Sequence, residues 1–235
     1  MERLGYRVVN VGERDIRMGY PEFARRTATS KLEFISANIV DRKSGEPIFP
    51  PHAVVEARSP DGKASVRVGV TGVMRYNPVF LKAGRDGGNM VIQHPLEAVK
   101  REVAALKKKK VDTIVLLAAL HKNDAIALAQ EVPGIEFVMG SYGGLVNPAE
   151  QQASGTTMMY VGNRGQRIGE TRVFFGEGKQ REIVSTKSTL HVLTRHYPPD
   201  HEMLQFVNAL PREAPERAAP AAGSAAAAPA AGTQR

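Results

Sequence analysis

Three consecutive charged residues could carry chemistry near the start of the chain. Glu13, Arg14 and Asp15 follow the run from Arg7 to Val11, which is predicted to be a strand that ends at Gly12. Carboxylates bind hard divalent cations, whereas a guanidinium binds anions such as phosphate. The three side chains could instead pair only with one another. The sequence therefore predicts either a cation site, an anion site or a local ion pair.

Three further polar positions are candidates for binding. His121 is followed by Lys122 and Asp124, so it is either a metal ligand or a solvent-facing histidine at the start of a helix. The segment Tyr142 to Gly144 could line a small-molecule pocket, because glycine lets a backbone approach a ligand closely, or it could simply form a tight turn. Asn163 is a ligand-binding candidate only through the family resemblance described below.

Several kinds of catalysis are excluded by the residues present. The chain has no cysteine, so thiolate nucleophiles, thiolate metal sites and disulfides are ruled out. No Gly-x-Ser-x-Gly elbow occurs. The glycines Gly84, Gly87 and Gly88 are not followed by Gly-Lys-Ser/Thr, so they do not form a phosphate loop of that type.

The elements that must position these residues follow an α/β pattern. A helix begins at Pro95 and places Leu96, Val99, Val103 and Leu106 on one buried face. This helix is followed by the strand Thr113 to Leu117, a helix over 123–131 and the strand Ile135 to Met139. Other predicted strands are Leu32 to Ile39, a hairpin of Ala53 to Ala57 with Val66 to Val73 around the turn Ser59 to Gly62, Thr156 to Val161 and Arg172 to Phe175. The fold class is layered α/β, with sheets packed under helices.

In such folds the ligand loops follow the carboxyl ends of the strands. The segments after Val11, Leu117 and Met139 are therefore expected to meet in one site. Glu13, His121 and Tyr142 lie in these three segments.

Composition indicates one domain and a tail. The 235 residues can bury one substantial core, and large apolar residues cease after Leu210. We expect a domain over 1–210 and a disordered, Ala/Pro-rich tail over 211–235. The net charge of +8 would suit a nucleic acid, but Lys107 to Lys110 end an amphipathic helix and have no aromatic neighbours for base stacking. No nucleic-acid partner and no membrane-spanning segment are predicted.

A set of motifs resembles one enzyme family. The chain is similar to the 5'-nucleotidase and 2',3'-cyclic-nucleotide phosphodiesterase family of the calcineurin-like metallophosphoesterases over roughly residues 4 to 185. This resemblance implies a layered β-sandwich flanked by helices. The matching segments are Gly5-Tyr6 with Val9 to Asp15 and Gly19, Ser36 to Asp41 with Gly45, Pro47 and Phe49 to Pro51, Val68 to Gly72, Asp112 to Leu117, Glu131 to Ile135, and Val161 to Asn163 with Gly165.

The resemblance also shows what is missing. Family enzymes hold two divalent metals that activate a hydroxide for in-line attack on phosphate. The family's metal-binding Asn and its transition-state-stabilising His fall on Glu13 and Arg14. Three further ligand histidines fall on Ala119, Tyr142 and Gly144, which cannot replace an imidazole.

The family's earlier Asp-x-His and Gly-Asp motifs have no counterpart here. The resemblance therefore implies a fold incomplete at its N-terminus, through a late start, a broken reading frame or a real truncation. As written, the chain would be cytoplasmic. A missing upstream signal peptide would make it periplasmic or extracellular.

Three functional hypotheses follow. The first is a pseudoenzyme without the dinuclear metal site, which keeps an anion or nucleotide pocket, needs no cofactor and binds a phosphorylated small molecule. The second is an active phosphoric-ester hydrolase with a manganese-, zinc- or magnesium-type pair held by Glu13, Asp15, His121 and a segment outside this chain. The third is a scaffold domain tethered by its tail.

Overall fold

The computed structural model describes residues 1–17, 19–59, 62–76, 89–176 and 181–210. The predicted tail over 211–235 and the glycines Gly84, Gly87 and Gly88 lie outside these residues. The chain divides into a unit over Met1–Thr194 and a second unit that begins at Arg195. In the described part of the chain, no helix is both long and apolar enough to cross a membrane.

The first unit alternates strands and helices along most of its length. Its helices are α1 (Tyr20–Thr27), α2 (Pro95–Lys108) and α3 (Lys122–Glu131), preceded by a short 3₁₀ turn at Glu2–Leu4. Its strands are β1 (Val8–Asn10), β2 (Glu33–Ile35), β3 (Ile39–Asp41), β4 (His52–Arg58), β5 (Ser65–Met74), β6 (Met90–Ile92), β7 (Thr113–Ala119), β8 (Phe137–Gly140), β9 (Val146–Gln151), β10 (Thr157–Val161), β11 (Arg167–Phe175) and β12 (Ile183–Val192). The second unit contains α4 (His201–Ala209), whose first turn is capped by Asp200 through a 2.8 Å bond from the Met203 N–H.

A six-stranded sheet is the centre of the first unit. Its strand order is β4-β5-β7-β8-β10-β9. The inner strands β5, β7, β8 and β10 run parallel to one another, and β4 and β9 pair antiparallel at the two edges. Three two-stranded sheets accompany it: β1 with β2, β3 with β6, and β11 with β12. The predicted layered α/β class is confirmed.

Helices cover one face of this sheet. Pro95 at the first position of α2 and the His94 cap start the helix, and its buried side chains Val99, Val103 and Leu106 follow the predicted spacing. They belong to the same buried cluster as strand residues of the helix-facing side, among them Leu116. The helices therefore contribute apolar side chains to the largest core cluster.

On the opposite face, β1 and β2 lie over the carboxyl-terminal halves of the central strands. Ile35 is buried with Val70, and Val8 and Leu117 pack against them. This contact brings the end of β1 to the ends of β5 and β7.

The predicted strand Leu32 to Ile39 is wrong as a single element. The structure has β2 and β3 with a break between them. At this break the side chain of Asn38 replaces strand pairing: Nδ2 donates to the carbonyls of Met74 and Gln93 at 2.8 and 2.9 Å, and Oδ1 accepts from the Met74 N–H at 3.0 Å. The pattern of apolar residues continues through the break, so this pattern could not reveal where one strand ends and the next begins.

The predicted hairpin, the helix from Pro95, the helix after His121 and the strand from Thr113 are confirmed. The strand predicted at Ile135 begins instead at Phe137. Sequence patterns did not indicate α1, β6, β9, β12 or α4, which are short, polar or paired with distant partners.

Candidate functional site

The strands that were expected to form a site end at one edge of the fold. The Asn10 amide at the end of β1 donates to the Val73 carbonyl near the end of β5 at 2.9 Å. The backbone N–H of Arg75, directly after β5, donates to the Ala119 carbonyl at the end of β7 at 3.0 Å. The loops after β1, β5 and β7 therefore leave the same edge, in agreement with the rule for ligand loops in α/β folds.

An aromatic cluster lies at this edge. His121 occupies the N-cap position of α3, and Tyr142 follows β8. Their ring centroids are 4.0 Å apart, with an interplanar angle of 65°. The structure thus brings together two candidates that are 21 positions apart in the sequence.

Arg75 joins this cluster from a third strand end. Its guanidinium carbon lies 5.5 Å from the centroid of the Tyr142 ring, within the range of a cation–π contact. Its Nε is buried and has no hydrogen-bond partner among the described residues. A buried donor on a charged group costs free energy when it is unpaired, so an anion that reached this nitrogen would be stabilised.

In the charged loop after β1, some polar groups form hydrogen bonds within the loop itself. The Asp15 carboxylate accepts a 2.8 Å bond from the Gly12 N–H, and the Asp15 N–H donates to the Gly12 carbonyl at 3.1 Å. Glu13 is half-buried, whereas Arg14 and Asp15 are exposed. One oxygen of Asp15 therefore holds the turn, which makes this carboxylate a poorer ligand than its sequence position predicts.

Asn163 and Gly144, two further predicted positions, lie against each other. A side chain at Gly144 would meet the Asn163 amide nitrogen at 2.9 Å, and Gly144 has a φ of +73°. Glycine at this position thus allows the loop after β8 to approach Asn163 closely.

The side chain of Lys122 forms hydrogen bonds with residues of strand β9. Its Nζ donates to Asn147 at 2.9 Å and to Glu150 at 2.8 Å, both on β9. The hydrogen bond from Lys122 lowers the pKa of Glu150 below its ordinary value. Lys122 therefore has established partners, unlike the Arg75 Nε.

A buried tyrosine, Tyr160, contacts the backbone beside the aromatic cluster of His121 and Tyr142. The Tyr160 hydroxyl on β10 donates to the Leu120 carbonyl at 3.1 Å, directly before His121. Its ring packs over Gly140, where any side chain would overlap it. Burial, followed by the charge of Asp124, raises the pKa of Tyr160 to about 12. Tyr160 is therefore a neutral, structural residue.

The described residues at this edge do not fit a dinuclear metal site. The positions that the resemblance assigns to ligand histidines hold Ala119, Tyr142 and Gly144, which offer no imidazole or carboxylate. Within the described ranges, no group of three or more His, Asp or Glu side chains is placed to bind a metal ion. Two of the replaced positions instead contact Arg75, through the Ala119 carbonyl and the Tyr142 ring.

Sequence reasoning missed Arg75 and Asn10. A signal for Arg75 was available, since a cation directly after a predicted buried strand will lie at the carboxyl edge of the sheet. Asn10 had no such signal, because a polar residue inside an apolar run is also compatible with an exposed strand. Its Oδ1 is buried against Gly72 and has no partner among the described residues.

Comparison with known proteins agrees with this architecture. No protein-family model matches the chain. A 2',3'-cyclic-nucleotide 2'-phosphodiesterase/3'-nucleotidase of Yersinia enterocolitica is 25% identical over 167 residues, which cover 66% of this chain and 26% of that protein. The chain thus spans about a quarter of the length of this relative.

Solved structures show the same fold. The calcineurin-like phosphoesterase YfkN of Bacillus subtilis matches with a TM-score of 0.76 at 16% identity, covering 88% of this chain and 69% of that one. A 5'-nucleotidase precursor of Thermus thermophilus matches with a TM-score of 0.70 at 20% identity, covering 88% and 43%.

The chain therefore has the calcineurin-like phosphoesterase fold. Among proteins of this fold, its sequence relatives carry the names of cyclic-nucleotide phosphodiesterase/3'-nucleotidase and metallophosphoesterase, which confirms the resemblance found in the motifs.

Proposed function

We propose that this protein binds a phosphorylated small molecule, of the nucleotide class, at the carboxyl edge of its sheet without the dinuclear metal chemistry of its relatives. The observation that carries the proposal is Arg75, whose guanidinium lies on Tyr142 and whose Nε is buried without a partner in the described structure. The fold and the names of the relatives support a phosphate ester as the ligand.

The site contains one group for each part of such a ligand. Arg75 supplies a fixed positive charge, and a guanidinium offers two parallel N–H donors to a phosphate. His121 and Tyr142 present aromatic rings beside it, on which a nucleobase can stack. Asn163 adds an amide next to the Gly144 loop.

The available donor groups support the proposed absence of hydrolysis. A two-metal mechanism requires ligands that lower the pKa of a bound water and clamp both the attacking and the leaving oxygen. Ala119 and Gly144 have no such groups, and one oxygen of Asp15 is engaged by Gly12. We therefore propose that binding is metal-independent and that the protein is a pseudoenzyme.

Calorimetric titration of the purified 235-residue chain with AMP, in the presence of a chelator, tests this proposal. Adenosine is the ligand control, because it lacks only the phosphate. We expect AMP to bind at least about tenfold more tightly than adenosine, and Arg75→Gln to abolish this difference. Arg195→Gln, which removes the same charge from the other unit, should leave AMP binding unchanged.

Hydrolysis and metal content must be measured on the same preparation. Elemental mass spectrometry after incubation with manganese and zinc should find no stoichiometric metal, and nucleotide hydrolysis should not rise when metal is added. Metal-dependent turnover that is lost in Asp15→Asn or His121→Ala would instead establish the hydrolase hypothesis. An AMP affinity that is the same in Arg75→Gln as in the wild type would refute the proposed site.

A further inference from the structure

A cavity lies away from the strand-end site. It has a volume of about 820 Å³ and lies between the six-stranded sheet and strand β11. Its floor includes Val68, Thr113 and Phe137, which lie near the starts of β5, β7 and β8. Arg75 and Tyr142 follow the opposite ends of these strands, so the two sites occupy different parts of the sheet.

The walls of this cavity are apolar and incompletely covered. On the helix-facing side of the sheet, Leu116 and Val138 are completely buried. On the cavity side, by contrast, Val68, Val115 and Met139 of the same central strands are only half-buried. Central strands of a sheet rarely leave aliphatic side chains partly accessible, and such surface indicates a binding region.

Two arginines give the cavity a positive character. Arg58 and Arg181 both belong to its lining. The Arg181 Nη1 is buried and has no hydrogen-bond partner among the described residues. Arg58 is largely exposed, and its Nε lies 4.0 Å from Glu56, at the limit of an ion pair. The Arg181 guanidinium therefore has donor capacity that the described protein atoms do not use.

We propose that this cavity binds a single-chain amphiphile with a carboxylate head group, of the fatty-acid class. The carboxylate pairs with Arg181, because a planar guanidinium and a carboxylate match in a bidentate arrangement. The alkyl chain lies over Val68, Val115 and Met139 and removes their side chains from water. The volume is within the range of small-molecule sites, roughly 300–1,000 Å³.

The test compares decanoate with decanol, which has the same chain and no charge, by calorimetric titration of the full chain below the micellar concentration. Decanoate should bind about tenfold more tightly than decanol, and Arg181→Gln should remove this difference. Affinity should also rise by roughly fourfold for each added methylene between octanoate and decanoate.

Two variants separate this site from others. Val115→Phe narrows the cavity and should weaken decanoate binding, while an unchanged circular dichroism spectrum of the variant shows that the fold is retained. Arg75→Gln should leave decanoate binding unchanged, so failure of the proposed nucleotide site would not affect this result. Equal binding of decanoate and decanol, no binding of either, or binding only of an extended apolar peptide would each overturn the proposal.

Discussion

The ring of His121 meets the ring of Tyr142 edge-on, with centroids 4.0 Å apart. His121 begins α3 and Tyr142 follows β8, so the contact joins the loops at the ends of two adjacent parallel strands. Tyr142 also contacts the guanidinium of Arg75, which follows β5. Three neighbouring strand ends are thereby connected through one aromatic ring.

The first prediction concerns this ring. Tyr142→Ala removes the surface on which Arg75 rests, and we expect AMP affinity to fall by about tenfold or less, the range of a partly desolvated cation–π contact. Tyr142→Phe keeps the ring and should bind AMP as the wild type does. Calorimetric titration measures both. A loss in Tyr142→Phe equal to that in Tyr142→Ala would show that the hydroxyl, and not the ring, is required.

The second prediction concerns the buried Asn38. Its side chain makes hydrogen bonds with the Met74 N–H and carbonyl and with the Gln93 carbonyl, so Asn38→Ala leaves several buried backbone groups unpaired. We expect the free energy of unfolding to fall by about 3 kcal/mol, because each unsatisfied group costs about 1–3 kcal/mol. Urea unfolding followed by circular dichroism measures the loss. The exposed Asn123→Ala is the matched control, and an equal loss in both variants would contradict this role.

The third prediction concerns the contact between Gly140 and Tyr160. A methyl group at Gly140 would overlap the Tyr160 ring, which is fully buried and cannot move aside freely. Gly140→Ala should therefore lower the free energy of unfolding by about 1–3 kcal/mol, as overpacking does. At Gly176 the nearest atoms are 3.9 Å from an added methyl group, so Gly176→Ala should change stability by only about 0.5 kcal/mol. A neutral Gly140→Ala would mean that the ring has room to shift.

The fourth prediction concerns alkaline pH. The pKa of Tyr160 rises from 10.0 to about 12 in the folded protein. The folded state therefore holds a proton that the unfolded state releases, and stability is lost as pH increases between these two values. Tyr160→Phe should be less stable than the wild type at neutral pH by about 1 kcal/mol, from the lost bond to Leu120.

That difference should shrink as pH is raised above the ordinary tyrosine pKa, since phenylalanine does not ionise. Unfolding in urea at neutral and alkaline pH compares the two proteins. Parallel stability curves for both would show that Tyr160 ionises equally easily in the folded and unfolded states.

The fifth prediction concerns Glu136. Burial raises the pKa of its carboxyl above the ordinary value of 4.5, although its Oε2 accepts a 2.7 Å bond from the Ile114 N–H. The folded state thus favours the protonated form, so this group supports folding at low pH and the support is lost as pH rises through the raised pKa. Glu136→Gln keeps an acceptor for Ile114 and removes the titration.

We expect Glu136→Gln to gain stability relative to the wild type as pH rises from about 4 towards neutral. Thermal unfolding across this range measures the difference. Glu131→Gln, at an exposed position at the end of α3, removes the same charge and is the matched control. A Glu136→Gln difference that is constant with pH would exclude the proposed shift.

Much of the architecture was accessible from local patterns. The spacing of Val99, Val103 and Leu106 predicted the buried face of α2, and the apolar run from Thr113 predicted β7. Both signals depend only on near neighbours in the chain. The break at Asn38 was missed because its bonding partners are distant in the sequence. They are the Met74 carbonyl and N–H at the end of β5 and the Gln93 carbonyl directly after β6.

Some residues of the candidate site were likewise identified from the sequence, and others were not. His121, Tyr142 and the Glu13 to Asp15 loop were identified from their positions after predicted strands, and their roles as binding residues stay predictions. Arg75 was missed although it follows β5 directly. The apolar cavity with Arg181 could not be predicted, because it depends on how β11 lies over the sheet.

The sequence by itself determined which chemical groups are available: Ala119, Tyr142 and Gly144 carry no imidazole in any conformation, so the prediction that the usual metal ligands are replaced depends on the sequence alone. Only the tertiary structure decided what lies in their place. Arg75 and Tyr142 are 67 residues apart, and no local pattern couples them. They meet because β5, β7 and β8 run parallel in adjacent register, which brings the residues after their carboxyl ends to one edge of the sheet.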